Sequence, residues 1–327
     1  MKHRVTGLII VLAGLLASSF APPLHAQAYP QKPVRVVLPF LAGTGPDLVA
    51  RSLTEKLSLS MKQQFIVENR AGANGLIALE SVAKSPPDGY TIAFADIGQL
   101  AINRSLYKAL PYDPETDFVP ITIAYSTPFY VLTSAKGPFR TLGDLLTAAK
   151  AKPGGVSYAS TGNGSPTHLF MEQLKTAVGA DILHVPFKGS TQVMPGILSG
   201  EIATVMLGMG SVKGLVEQGQ LRALAVTSAS RTAGFPDVPT VAEATGLKGF
   251  SAVTWVAFVA PAKTPRDIID RLNSELRKAL ALPDVKSRMA SQGFDDLGST
   301  PEQLAQRIRD DTATYSVIVR ATGARLD

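Results

Sequence analysis

The chain has 327 residues, with 32 Lys and Arg against 26 Asp and Glu, a formal net charge of +6 and no cysteine. Without cysteine there are no disulfides, thiolate metal sites, cysteine nucleophiles or lipoprotein anchor. The mild positive balance comes with no basic run and no basic patch interleaved with aromatics, so nucleic acid is not an expected partner.

The chain opens as an export signal: a basic start at Lys2, His3 and Arg4, an apolar stretch over residues 5–20, and Ala26-Gln27-Ala28 as a small-residue cleavage site, with a cut after Ala26 as the competitor. Residues 1–28 are therefore expected to be removed, and the mature protein is expected in the periplasm, not as a lipoprotein. The remaining length suits two domains.

Residues 34–38 read as a strand, followed by the turn Pro39-Phe40-Leu41-Ala42-Gly43-Thr44-Gly45-Pro46-Asp47 and a helix over 47–59. A strand over 65–68 and a helix over 75–84 come next, the latter stopped by Pro86-Pro87-Asp88-Gly89, and then a strand over 90–94. After a helix over 141–151 and a strand over 156–159, a second turn repeats the first: Ser160-Thr161-Gly162-Asn163-Gly164-Ser165-Pro166-Thr167 leads into a helix over 167–178. Further strands are expected over 182–185, 204–207, 221–227 and 253–259, the last holding the only tryptophan, Trp255. Thr264-Pro265 reads as a helix cap with proline at the first helical position, and Thr300-Pro301-Glu302-Gln303 as a capping box. This alternation predicts an α/β fold with mostly parallel sheets. No flexible linker occurs, so two lobes must be joined by chain crossings, expected near Ser126-Thr127-Pro128 and Ala252-Val253. The expected lobes are residues 29–127 with 253–327, and residues 128–252.

Each glycine-rich turn leaves backbone N–H groups at a helix N-terminus without intrahelical partners, and the helix dipole adds positive potential there. Two such ends, far apart in sequence, suggest two lobes gripping one anion. The N–H groups around Gly43, Gly45, Gly162 and Gly164, together with Ala42 and Asn163, are the expected ligand donors. The hydroxyls of Thr44, Ser160, Thr161, Ser165 and Thr167 lie within sequence reach of the same anion, and each could equally be a cap or turn residue. Phe40 is expected to wall the pocket, or simply to pack in the core. Asp47 sits in the candidate set but reads better as a helix cap, because its charge would repel a carboxylate. His168 is either a helix-terminus or a cleft-lining residue. Lys188, Gly189 and Ser190 form a third candidate segment, with a surface or inter-lobe ion pair as the other reading of Lys188.

Taken in order, several stretches carry a resemblance to a known family. They are Tyr29-Pro30-Gln31-Lys32-Pro33-Val34, Pro39-Phe40 with Gly43 and Asp47, Val67-Glu68-Asn69-Arg70-Ala71-Gly72-Ala73, Pro86-Pro87-Asp88-Gly89-Tyr90-Thr91 and Leu110-Pro111-Tyr112-Asp113-Pro114. Asp117-Phe118-Val119-Pro120, Tyr158-Ala159-Ser160 with Gly162-Asn163-Gly164, His184-Val185-Pro186-Phe187-Lys188-Gly189, Leu221-Arg222-Ala223-Leu224-Ala225-Val226-Thr227, Phe235-Pro236-Asp237-Val238-Pro239-Thr240 and Ala260-Pro261 follow. The chain resembles the periplasmic solute receptors of tripartite tricarboxylate transporters, the Bug receptors. The resemblance implies a periplasmic-binding-protein type II-like fold: two α/β lobes around a ligand cleft, joined by two chain crossings. It implies that the turns matching residues 40–47 and 160–167 hold a ligand carboxylate, partly through water. The implied partners are a small organic acid and the membrane subunits of a tripartite transporter, with a membrane sensor kinase as the alternative. A monomer is expected.

Two departures from that pattern bear on the ligand. Asp96 stands where the family usually carries a small hydroxyl residue, and a carboxylate there would favour an amine, another cation or a hydroxyl unless it serves as a turn cap. Met206-Leu207-Gly208-Met209 replaces a frequent polar pair, hinting at a more apolar ligand body such as a monocarboxylate or aromatic acid. A hydrolase is the competing class. Past the signal, His168 and His184 are the only histidines and no GxSxG elbow occurs. No HExxH or EF-hand pattern implies a metal, and Gly43-Thr44-Gly45 lacks the third glycine of a dinucleotide fingerprint, Leu48 standing in its place. The expectation is capture without chemistry and without a cofactor.

Overall fold

A computed structural model describes residues 29–187, 190–291, 293–294 and 298–326. The expected export signal and its cleavage site lie outside the described residues, as do Lys188 and Gly189.

Among the described residues, nine strands form two sheets around one shared strand. They are β1 (Val34–Leu38), β2 (Phe65–Asn69), β3 (Thr91–Asp96), β4 (Phe118–Ser134), β5 (Ser157–Ser160), β6 (Leu183–Pro186), β7 (Thr204–Gly208), β8 (Leu221–Val226) and β9 (Val253–Pro261). The helices are α1 (Gly45–Met61), α2 (Leu76–Ala83), α3 (Asn103–Leu106), α4 (Leu142–Ala151), α5 (Pro166–Val178), α6 (Ser190–Ser199), α7 (Lys213–Glu217), α8 (Val241–Thr245), α9 (Arg266–Ala281), α10 (Pro283–Ser291) and α11 (Pro301–Thr322). One sheet runs β2-β1-β3-β9-β4; the other places β8 on one side of β4 and β7-β5-β6 on its other side. This is a two-lobed α/β fold.

The sheets are mixed, which corrects the expectation of mostly parallel ones. β1 pairs in parallel with β2 and β3, and β5 with β6 and β7. The other pairs are antiparallel: β9 with β3 and β4, and β4, which runs through both sheets, with β7 and β8. β4 changes partner at one point. Pro128 is still opposite Val253 of β9, and Phe129 is already opposite Gly208 of β7. β4 has no counterpart among the strands expected from sequence, because Pro120 and Pro128 interrupt it. Proline cannot donate to a ladder and is tolerated at edges and bulges. The β4–β9 register indeed shifts between Pro120 and Thr122 and again between Ile123 and Tyr125.

These directions place the functional ends. β1 and β3 run with β4, toward the second sheet, whereas β5 and β7 run against it, toward the first. Their C-terminal ends therefore converge where β4 changes sheet: Asp96 is level with Val256, which is level with Tyr125, and Gly208 is level with Phe129. Ligands of open α/β sheets bind at such carboxyl ends.

Local signals explain the helices. α9 buries Ile269, Leu272, Leu276 and Leu280 on one stripe. At α11 the Thr300 hydroxyl accepts from the Gln303 N–H and the Gln303 side chain accepts from the Thr300 N–H, the expected capping box. The expected Thr264 cap fails. α9 starts one residue later than that cap requires, and the Thr264 hydroxyl donates instead to the Pro261 carbonyl.

The two sheets share a core. One apolar cluster reaches both, including Leu100, Leu106, Trp255 and Tyr315 together with Phe129 and Phe170. The Tyr315 ring of α11 lies against Phe170 of α5, with centroids 5.8 Å apart. Fully buried Trp255 donates from Nε1 to Oδ2 of Asp311 on α11 at 2.6 Å, and Arg307 Nε donates to the same oxygen.

Candidate functional site

The first loop links β1 to α1. Gly43 takes φ +80°, which permits the sharp turn, and proline at the start of α1 suits a position whose N–H would lack an intrahelical partner. Thr44 occupies the N-cap, but its hydroxyl donates to the Leu41 carbonyl at 2.7 Å and makes no cap bond. Ala42 and Gly43 are exposed, and Phe40, Thr44 and Gly45 are half-buried. Phe40 packs against the core of the first sheet.

Asp47 points the other way. It is 1% exposed, and its Oδ2 accepts from the Gly43 N–H at 2.8 Å and from Arg51 Nε at 3.0 Å. Its Oδ1 accepts from Asn69 Nδ2 at 2.8 Å, and the same amide donates to the Phe40 carbonyl. Burial opposes the charge, yet the bonds from Arg51, Gly43 and Asn69 outweigh it and hold the carboxyl below its ordinary pKa. With three hydrogen bonds on its two oxygens and almost no exposure, the Asp47 carboxylate clamps the loop, which favours the cap reading of its side chain. The Gly43 N–H is spent on the same clamp. The N–H groups of Gly45 and Asp47 make no hydrogen bond among the described residues.

The second loop links β5 to α5. Ser165 is the N-cap of α5, accepting from the His168 N–H, and Pro166 follows. Thr167 Oγ1 gathers the loop: it accepts from the Thr161 N–H at 2.8 Å and lies 3.0 Å from Thr161 Oγ1 and 2.8 Å from Ser165 Oγ. Ser165 Oγ also donates to the Gly162 carbonyl at 2.7 Å. Ser160 and Thr167 are buried; Thr161, Gly162 and Ser165 are half-buried, and Asn163 is exposed. The N–H groups of Asn163 and Thr167 have no partner among the described residues. Gly164 is buried at φ +73°, and a Cβ there would stand 2.7 Å from Leu106 Cδ1 of α3.

Beneath this loop lie both histidines of the described chain. The His168 and His184 rings stack at 4.1 Å, 12° from parallel, and Tyr158 stacks on His184 at 4.8 Å. Nδ1 of His168 accepts from the Gly164 N–H at 3.1 Å, and Nε2 of His184 is 2.6 Å from Ser160 Oγ. His168 is thus placed under the loop, 7% exposed. Burial lowers both pKa values, that of His184 to about 4, with the neighbouring imidazole adding to the drop. Sequence spacing could not pair these rings; the β5–β6 register, which sets Tyr158 opposite His184, does so.

Asp96 ends β3. Its Oδ1 accepts from the Gly98 N–H at 2.7 Å, and its own N–H donates to Gln99 Oε1 at 3.0 Å. Burial raises the carboxyl to about 6, against the pull of the Gly98 and Gln99 N–H groups. The side chain therefore caps the turn that follows. Met206, Leu207 and Met209 are buried in the cores, so the apolar stretch is explained by packing and carries no information about an apolar ligand body. Of the third candidate segment, Ser190 opens α6; Lys188 and Gly189 lie outside the described residues. Among the described residues no cluster of three or more His, Cys, Asp or Glu could hold a metal, and no helix is long and apolar enough to cross a membrane.

A sequence profile described as the tripartite tricarboxylate transporter family receptor matches residues 49–324. Protein BugT of Bordetella pertussis is 36% identical over 323 residues, covering 98% of this chain and 97% of BugT. The structure of Rpa4515 of R. palustris, determined with adipate, superposes with a TM-score of 0.81 at 32% identity, covering 91% of this chain and all (100%) of that one. MatC of Rhodopseudomonas palustris, determined with bound malate, gives 0.76 at 28% identity, covering 89% of this chain and 100% of MatC.

Proposed function

The chain belongs to the tripartite tricarboxylate transporter receptor family, a family of solute receptors and not of enzymes, and from that premise we propose that it captures a small organic carboxylate between its lobes for delivery to a tripartite membrane transporter. The observation that carries this reading is the convergence of two helix N-termini, α1 and α5, on the point where β4 changes sheet, with the N–H groups of Gly45, Asp47, Asn163 and Thr167 uncommitted among the described residues. Hydrogen bonds to a charged group contribute roughly 1.5–3 kcal/mol each, so three or four would hold one carboxylate. Adipate and malate in the structures of relatives support the same ligand class. Among side chains, Thr161 and Asn163 are the contacts we assign, because they combine exposure with donor capacity, whereas the Ser165 hydroxyl is spent on the Gly162 carbonyl. The lobes are taken as residues 29–127 with 253–327, and 128–252, and the mature protein as periplasmic.

The test is a thermal-shift panel of mono-, di- and tricarboxylates, aromatic acids and amino acids on the mature protein. A ligand at about a hundred times its Kd raises stability by about 2.7 kcal/mol. A saturable shift by one acid class, lost in Asn163→Pro, supports the reading. No shift by any acid, in protein freed of carried-over ligand by unfolding and refolding, overturns it.

A further inference from the structure

The stacked histidines are not needed to contact a ligand, yet each bonds the second loop. His168 Nδ1 accepts the Gly164 N–H, and His184 Nε2 meets Ser160 Oγ, whose oxygen also accepts from the Gly162 N–H. The start and the middle of the 160–167 loop are therefore fastened to one ring pair. An imidazole nitrogen accepts a hydrogen bond only when it carries no proton, so the bond to Gly164 exists only with His168 in its neutral Nε2–H form. We propose that His168 and His184 are positioning residues which, as a neutral stacked pair, hold the second loop in its binding shape, and that protonation of the pair releases the loop.

The surroundings favour this assignment. Two stacked cations 4.1 Å apart would repel each other in a site largely shut from water. The charged groups that face the pair are Glu172 and Lys175 of α5. Lys175 Nζ donates to Glu172 Oε1 at 2.7 Å, and Tyr158 OH donates to the same oxygen at 2.5 Å. The acid is thereby engaged by a lysine and a phenol and does not bond either imidazole. Both histidine pKa values are lowered, so the bonds are present above the ordinary range near 6.5 and are lost as the pH falls through the folded values. A histidine that merely contacted a carboxylate would do the reverse and tighten binding on acidification.

The consequence for binding rests on the carboxylate reading above; the test does not, because it uses no ligand. Amide spectra and hydrogen exchange of the mature protein would follow Gly164 from about pH 7.5 to pH 4, with rates corrected for the intrinsic pH dependence. The Gly164 amide is expected to shift together with the imidazole ring protons. Its protection is expected to fall by roughly fivefold or more, as loss of one net hydrogen bond supplies. His168→Asn, whose side-chain oxygen can take the place of Nδ1 and does not titrate, should keep Gly164 protected throughout. His168→Phe should leave it unprotected at every pH while distant amides stay native. A Gly164 amide that does not respond to histidine titration in the wild type overturns the proposal, whether or not the variants fold. Loss of protection at the same pH in His168→Asn overturns it equally.

Discussion

Gly164→Ala is the sharpest perturbation of the loop frame. The residue sits at φ +73°, where an L side chain costs roughly 1–2 kcal/mol. The new Cβ would lie 2.7 Å from Leu106 Cδ1, 3.1 Å from Leu106 Cδ2 and 3.4 Å from Leu326 Cδ1. Overpacking of that kind typically costs about 1–3 kcal/mol. The expected destabilisation is thus about 2–5 kcal/mol, measured by urea unfolding. Part of it is a contact energy and part is backbone strain, and a double-mutant cycle separates them. Leu106→Ala alone removes a buried side chain, 1% exposed, and should cost roughly 2–5 kcal/mol. In the double variant the alanine Cβ occupies space vacated by the leucine, so the two costs should fall short of additivity by about 1 kcal/mol or more. A Gly164→Ala protein within about 0.5 kcal/mol of wild type, or a cycle that closes additively, would refute the argument that the loop packs tightly on α3 at this glycine.

Asp47→Asn removes the charge from a carboxylate that binds Arg51, Gly43 and Asn69; a loss of about 1–3 kcal/mol should appear in urea unfolding, with weaker carboxylate binding from the loosened first loop. Asp96→Asn should be more stable than wild type at pH 7.5. The Asp96 carboxyl is raised to about 6, so its favourable protonated form is fully present below about pH 4 and lost as the pH rises through 6. The gap should reach at most about 3 kcal/mol and close near pH 4; an unfolding profile with no such convergence contradicts the assignment. Asp311→Asn weakens the bond from Trp255 Nε1 and the ion pair with Arg307. It should cost about 1–3 kcal/mol and shift the emission of the single tryptophan, whereas unchanged emission would mean that the indole N–H is held some other way.

The elements that local chemistry dictates were legible in the sequence. The strand–glycine–helix passages, the Thr300 capping box, the apolar stripe of α9 and the stop at Pro86-Pro87-Asp88-Gly89 involve partners a few residues apart, so their hydrogen bonds and periodicity are written in contiguous residues. The resemblance to a receptor family was legible for the same reason, as ordered short motifs. Other features depend on residues that the chain brings together from afar. β4 looked like no strand because its two prolines are tolerated only at a bulge and at the point where it changes sheet. Asp47 read as a cap or a contact until Asn69 and Arg51 took up its oxygens. His168 and His184 read as two isolated residues until the β5–β6 register stacked them under one loop. The apolar run at Met206 read as a hint of an apolar ligand body until its side chains proved to be buried in the core. Sequence by itself determined which residues would turn, cap and pair locally, because those energies act within a few residues. Only the tertiary structure decided which donors stay free for a ligand, because a donor is free only when no distant acceptor reaches it.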